Sequence, residues 1–153
     1  IGASVSDAAQ DGTSIGLAMA EACQSGAVVA MLGDRGGGHE VLRRVDFLGS
    51  PAPFPVGPWL LAHTLKVPVV LCFGLYQGGN RYRLIFESLA EQVEIPRHAR
   101  NEALDLWLSR YASRVEHYAR VAPYNWFNFH DFWQETATPA PMPAAPIGEH
   151  NGT

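Results

Sequence analysis

The chain predicts an α/β domain with a mixed, mainly parallel sheet flanked by helices. Two observations carry this. Continuous apolar runs, AVVAML at 27–32 and VPVVLCFGLY at 67–76, read as strands covered on both faces. They alternate with segments in which apolar residues recur every three or four positions, the period of a helix with one buried face.

Taken in order, Thr13 or Ser14 suits the cap of a first helix carrying Ile15, Leu17, Ala18, Met19 and Ala22. Gly26 suits the left-handed residue that closes it. The strand 27–32 breaks at Gly33-Asp34-Arg35-Gly36-Gly37-Gly38, and a loop with Phe47, Leu48, Gly49 and Pro51 follows. A second helix is expected from about Val56 to Lys66, with Pro58 tolerated in its first turn. The run 67–76, the turn Gln77-Gly78-Gly79-Asn80 and YRLIFESL from Tyr82 predict a hairpin. Asn101 is the expected cap of a last long helix, whose apolar face is Leu104, Trp107 or Leu108, Tyr111, Val115 and Tyr118.

Composition narrows the classes. At 153 residues, 47% hydrophobic and 17% charged, the chain is sized for one core. Its net charge of −4, with scattered Lys and Arg, argues against a nucleic-acid partner. The longest apolar stretches fall short of the roughly 18–20 residues that cross a bilayer as a helix. Cys23 and Cys72 read as small buried hydrophobes and not as a disulfide framework. Residues 1–135 form the expected ordered body. The tail 136–153, with four prolines and no amphipathic period, reads as flexible. Residues 1–5 are compatible with the remnant of a strand. A chain opening on Ile1, with no initiator Met or signal sequence, suggests that further sequence lies upstream.

The loop 33–38 is where chemistry can be argued. Glycines let backbone N–H groups approach an anion closely, and Arg35 can give two parallel hydrogen bonds to a phosphate or carboxylate. Asp34 can hold Arg35 or meet a hydroxyl. The substrate-binding candidates are therefore Asp34, Arg35, Gly36, Gly37 and Gly38, at the carboxyl end of a strand where open α/β sheets bind ligands. The loop follows neither the Gly-Lys-Ser/Thr pattern nor the dinucleotide pattern, which disfavours a nucleotide. No cofactor is implied, and no metal-ligand spacing is visible.

Residues 28–70, VVAMLGDRGGGHEVLRRVDFLGSPAPFPVGPWLLAHTLKVPVV, resemble a segment of bacterial lipid A late acyltransferases and the wider lysophospholipid acyltransferase superfamily. There a strand ends in Asp followed by Arg or Gln, and a variable loop precedes Phe-x-Gly-x-Pro. A small-residue turn then opens a helix before another apolar strand. The matching positions are Asp34, Arg35, Phe47, Gly49, Pro51, Gly57, Pro58 and 67–71, and APYNWFNFHDFW resembles the family's closing segment. The resemblance implies the C-terminal portion of an incomplete acyltransferase domain. It implies a donor that is acyl carrier protein or acyl-CoA, and a lipid or glycolipid acceptor. It further implies work at the inner face of the bacterial inner membrane, on the cytoplasmic side, with peripheral membrane contact.

The family's base is the His of a His-x4-Asp/Glu motif. Five residues after His39, His63, His98 and His117 stand Arg44, Pro68, Ala103 and Ala122; only His130 and Glu135 fit. That pair follows the last helix, whereas the family's motif precedes the Asp-Arg strand, so no catalytic residue is assigned. The motif is expected upstream, and this chain alone is expected to be inactive. The alternative is a noncatalytic α/β module in which the same loop binds an anionic ligand or a protein. Aromatic residues Tyr118, Tyr124, Trp126, Phe127, Phe129, Phe132 and Trp133 read first as packing for the final helix and second as a lipid-facing surface. His63 reads as a hydrogen-bonded core residue. A truncated sheet would expose an edge, and self-association of the chain is expected from that.

Overall fold

The computed structural model describes residues 12–35, 40–128 and 131–133. The expected flexible tail, the N-terminal strand remnant, Gly36–Gly38, His39, Phe129, His130 and Glu135 lie outside the described residues. Among the described residues, three α-helices, α1 (Gly12–Gln24), α2 (Gly57–Leu65) and α3 (Arg100–Val121), accompany four strands: β1 (Leu42–Phe47), β2 (Ser50–Pro55), β3 (Val69–Gly78) and β4 (Arg81–Ala90). The mixed α/β character is as expected. The sheet is not: the strands form two separate antiparallel hairpins, β1–β2 and β3–β4, and the expectation of a mainly parallel sheet is corrected.

The first correction concerns residues 27–32. They follow α1 as expected but belong to no strand. A continuous apolar run becomes a central strand only when ladders form on its edges. Here every described strand pairs with its own hairpin partner. Val28 is consequently 93% exposed and Leu32 67% exposed, the reverse of a strand covered on both faces. The end of α1 is well determined by backbone chemistry. Gly26 has φ +81°, its N–H donates to the Cys23 carbonyl, and the Ala27 N–H donates to the Ala22 carbonyl. This paired arrangement satisfies carbonyls that the helix leaves open, and only glycine enters it without strain. Thr13 and Ser14 lie inside the helix and not ahead of it.

The second correction is that the loop expected around Phe47 is a hairpin. Phe47 pairs with Ser50, leaving a two-residue turn whose members Leu48 and Gly49 both have positive φ, 52° and 87°. Such a turn matches the right-handed twist of the strands it joins. Leu48 in this conformation is held at both ends: its side chain packs on the core, and its N–H donates to the Glu116 carboxylate at 2.8 Å. In β2, prolines occupy 51, 53 and 55, every second position. The Val56 N–H donates to Val41 across the end of the same ladder, so even-numbered residues face β1 and the prolines lack donors only on the outer edge.

The β3–β4 hairpin was predicted and is present, turning through Gly78, Gly79 and Asn80, all at positive φ. The expectation that 67–76 is covered on both faces is corrected, because alternate positions diverge and Cys72, read as buried, is exposed. Leu71 and Leu75 are buried, whereas Val70, Tyr76, Tyr82, Leu84 and Phe86 share the exposed face.

α3 holds the two hairpins together. Its buried residues are Leu104, Trp107, Leu108, Ala112, Val115 and Ala119, close to the predicted stripe. Arg43 of β1 grips Asp105, while on the other hairpin Glu87 of β4 accepts two 2.8 Å hydrogen bonds from Arg114 and one from the Tyr118 hydroxyl. Asn101 does not cap α3. Ala99 holds that position, and the Asn101 side chain accepts a hydrogen bond from Arg43 at 2.9 Å. Phe47 and Phe54, both fully buried, centre the core, and the segment after α3 closes over it. Trp126 and Phe132 lie 5.2 and 5.3 Å from the Phe47 ring, centroid to centroid. The aromatic group read from sequence therefore divides: Trp126, Phe132 and Trp133 pack, but Tyr124 is 91% and Phe127 61% exposed.

Candidate functional site

Of the five predicted binding residues, Asp34 and Arg35 are described, and Gly36, Gly37 and Gly38 lie outside the described residues. Asp34 and Arg35 stand together, with Arg35 Nε 3.5 Å from Asp34 Oδ1. Their exposures differ usefully: the Asp34 side chain is 15% exposed and that of Arg35 46%. The acid is tucked in and the cation reaches outward. Arg35 Nη2 also donates to the Phe127 carbonyl at 3.4 Å, which ties the loop to the segment following α3. Both contacts are long, so they direct the guanidinium without saturating its five N–H donors.

Beneath this pair is a residue that sequence reading placed only in the core. Tyr111 of α3 meets Gly33 so closely that a Cβ there would lie 2.9 Å from both Cζ and the hydroxyl oxygen. Burial pushes the Tyr111 hydroxyl well above its ordinary pKa, and the Asp34 charge pushes the same way; the Gly33 backbone and Arg35 oppose both. The hydroxyl stays protonated and neutral. No periodicity argument could have found the contact, because it joins positions far apart in sequence.

Glu40 is a second addition. Its Oε1 sits 2.7 Å from where a Gly57 Cβ would be, at the start of α2. A carboxylate is favoured at a helix N-terminus, and the flexible Glu40 side chain occupies the space beside Gly57. α2 has no acid of its own in the first turn, and Pro58 occupies that turn as predicted.

Of the described histidines, His63 is held by backbone groups. His63 Nδ1 lies 3.1 Å from the Val93 carbonyl and 3.2 Å from the Ile95 N–H. It donates to the first or accepts from the second according to tautomer, a part-buried structural role as expected. An open groove of about 610 Å³ runs along Leu42–Asp46, Pro51, Asp105 and Ser109 and does not include Asp34 or Arg35. Its two cations are engaged, Arg43 by Asp105 and Asn101, Arg44 by the carbonyls of Pro51 and Trp133. Among the described residues no group of three His, Cys, Asp or Glu could hold a metal ion, and no helix is long and apolar enough to cross a membrane.

The fold and site thus define an α/β chain with an Asp-Arg pair on a loop braced by its last helix. The profile of the bacterial lipid A biosynthesis acyltransferase family matches residues 12–135, and the chain belongs to that family. The match takes in Asp34 and Arg35, the Phe47-Leu48-Gly49 turn and the Gly57-Pro58 helix start. No curated protein and no solved structure matches the chain.

Proposed function

We propose that this chain is the substrate-holding part of an acyltransferase that moves a fatty acyl group from acyl carrier protein or acyl-CoA to a lipid or glycolipid acceptor. Asp34 and Arg35 engage an anionic group, a phosphate of donor or acceptor, with Gly36, Gly37 and Gly38 offering backbone N–H groups beside it. The carrying observation is the pairing of a covered Asp34 with an outward Arg35, which has unsaturated donors, inside the family match. A guanidinium in that state gains from a bidentate anion what its present long contacts do not give it.

In the reaction that the family implies, a histidine takes the proton of an acceptor hydroxyl or amine. The freed lone pair attacks the thioester carbonyl carbon, the C–S bond breaks, and the departing thiolate takes up a proton. The products are an ester or amide and a free thiol. The histidine and its acid partner belong outside these residues, in a His-x4-Asp/Glu segment ahead of the Asp-Arg loop, and His130 with Glu135 is not that pair. A lipid acceptor places the protein at a membrane surface, on the cytoplasmic side of the inner membrane, in peripheral contact.

The test compares the complete gene product with its Arg35→Ala variant, following thiol release from acyl carrier protein and from acyl-CoA. A rise in KM of roughly tenfold or more, about 1.4 kcal/mol, is expected for loss of the guanidinium contact. Unchanged kinetics with both donors removes Arg35 from the site.

A further inference from the structure

We infer that Tyr111 is the positioning residue of the Asp34–Arg35 loop: its ring and hydroxyl form the floor that sets where the backbone turns, and Gly33 is glycine because that floor leaves no room for a side chain. The inference rests on the reading of Asp34 and Arg35 as the pair that holds substrate. Tyr111 itself acts only through the loop.

Three observations carry it. First, the requirement at Gly33 is spatial. Its φ lies outside the left-handed range, unlike those of Gly26 and Gly49, yet a Cβ would stand 2.9 Å from Tyr111 Cζ and Oη and 3.2 Å from Cε1. Second, the ring cannot easily give way. It meets the Phe54 ring edge-on at 5.9 Å and the Trp59 ring at 5.5 Å, and these neighbours are 0% and 3% exposed. Close-packed interiors resist sub-ångström displacement, so a methyl group added at Gly33 moves the loop and leaves the ring in place. Third, the loop has a second tether on its far side, the hydrogen bond from Arg35 to the Phe127 carbonyl. Floor and tether together set the direction of the guanidinium, so displacing the loop weakens its two-pronged grip on an anion, which depends on geometry.

The test is a cycle in the complete gene product with Gly33→Ala, Tyr111→Leu and the double variant, each checked by thermal melting. Tyr111→Phe, which keeps the ring, accompanies them. Two readouts are taken. Trypsin cleavage after Arg35, normalised to cleavage after exposed Arg97 in the same digest, reports loop placement without any substrate. Steady-state kinetics report KM and kcat.

Gly33→Ala is expected to speed cleavage after Arg35 and raise KM roughly tenfold while kcat changes little. Tyr111→Phe, which keeps the ring but loses the hydroxyl and its Gly33 backbone contact, is expected to fall between wild type and Tyr111→Leu in cleavage. The double variant is expected to be no worse than Tyr111→Leu alone, because the added methyl then has no ring to meet. Additive effects in the double variant, or wild-type cleavage in Gly33→Ala, overturn the inference. Failure of the site reading looks different: Arg35→Ala then leaves KM unchanged, while the cleavage cycle still shows the coupling.

Discussion

Arg43 holds Asp105 with two parallel hydrogen bonds, Nε to Oδ1 at 2.7 Å and Nη2 to Oδ2 at 2.9 Å, and so joins the first hairpin to α3. The pair is half open to water, at 29% and 50% side-chain exposure, which screens its charge. Bidentate geometry nevertheless places it at the upper end of surface pairs. Asp105→Ala is expected to cost about 0.5–1 kcal/mol in urea unfolding, shrinking as salt is raised. A loss that ignores salt would assign the effect to packing.

Glu87 links the second hairpin to the same helix and makes stability sensitive to acid. The Arg114 hydrogen bonds first, and then that from Tyr118, hold its carboxyl well below the ordinary 4.5, at about 2. A carboxyl whose pKa falls on folding contributes fully above its unfolded value, and the contribution disappears as pH drops through its folded value. The stability gap between wild type and Glu87→Gln should therefore be flat near neutral pH and close as pH descends through 4.5 toward about 2. A gap that does not narrow across that window contradicts the assignment.

The same substitution at two glycines should have opposite signs. Gly49 sits in the hairpin turn at φ 87°, and Gly16 sits inside α1; a Cβ meets nothing within 4 Å at either. Space is equal, so backbone conformation decides. Gly49→Ala is expected to lower stability by about 1–2 kcal/mol, because L-residues are strained there. Gly16→Ala should raise it by about 0.5–1 kcal/mol through helix propensity. Thermal denaturation of both variants checks the signs, and matching signs would refute this account of the turn.

These relationships also show why the sequence was legible in places and opaque in others. The β3–β4 hairpin was readable because its apolar runs flank Gly78, Gly79 and Asn80, residues suited to a left-handed turn. α3 was readable from its period. β1–β2 was hidden by Arg43, Arg44 and Asp46 in one strand and three prolines in the other, all of which argue against a strand unless the edge geometry is known. The run 27–32 misled in the other direction, since apolarity expresses a preference for burial and cannot supply a neighbouring strand. At the site, Asp34 and Arg35 were visible as a motif. The close approach of Tyr111 to Gly33 was not, because it joins separate elements.

The central proposal is that this chain holds substrate for acyl transfer and that the catalytic base lies in a segment ahead of it. Mass spectrometry tests it directly. The complete gene product and the 153-residue chain are each incubated with acyl carrier protein or CoA thioesters and with hypoacylated lipid A and lysophospholipid as acceptors. The account predicts that the complete product adds one acyl group to an acceptor as thiol is released, and that the 153-residue chain adds none. Acyl transfer by the 153-residue chain alone, or none by the complete product with any of these pairs, would contradict it.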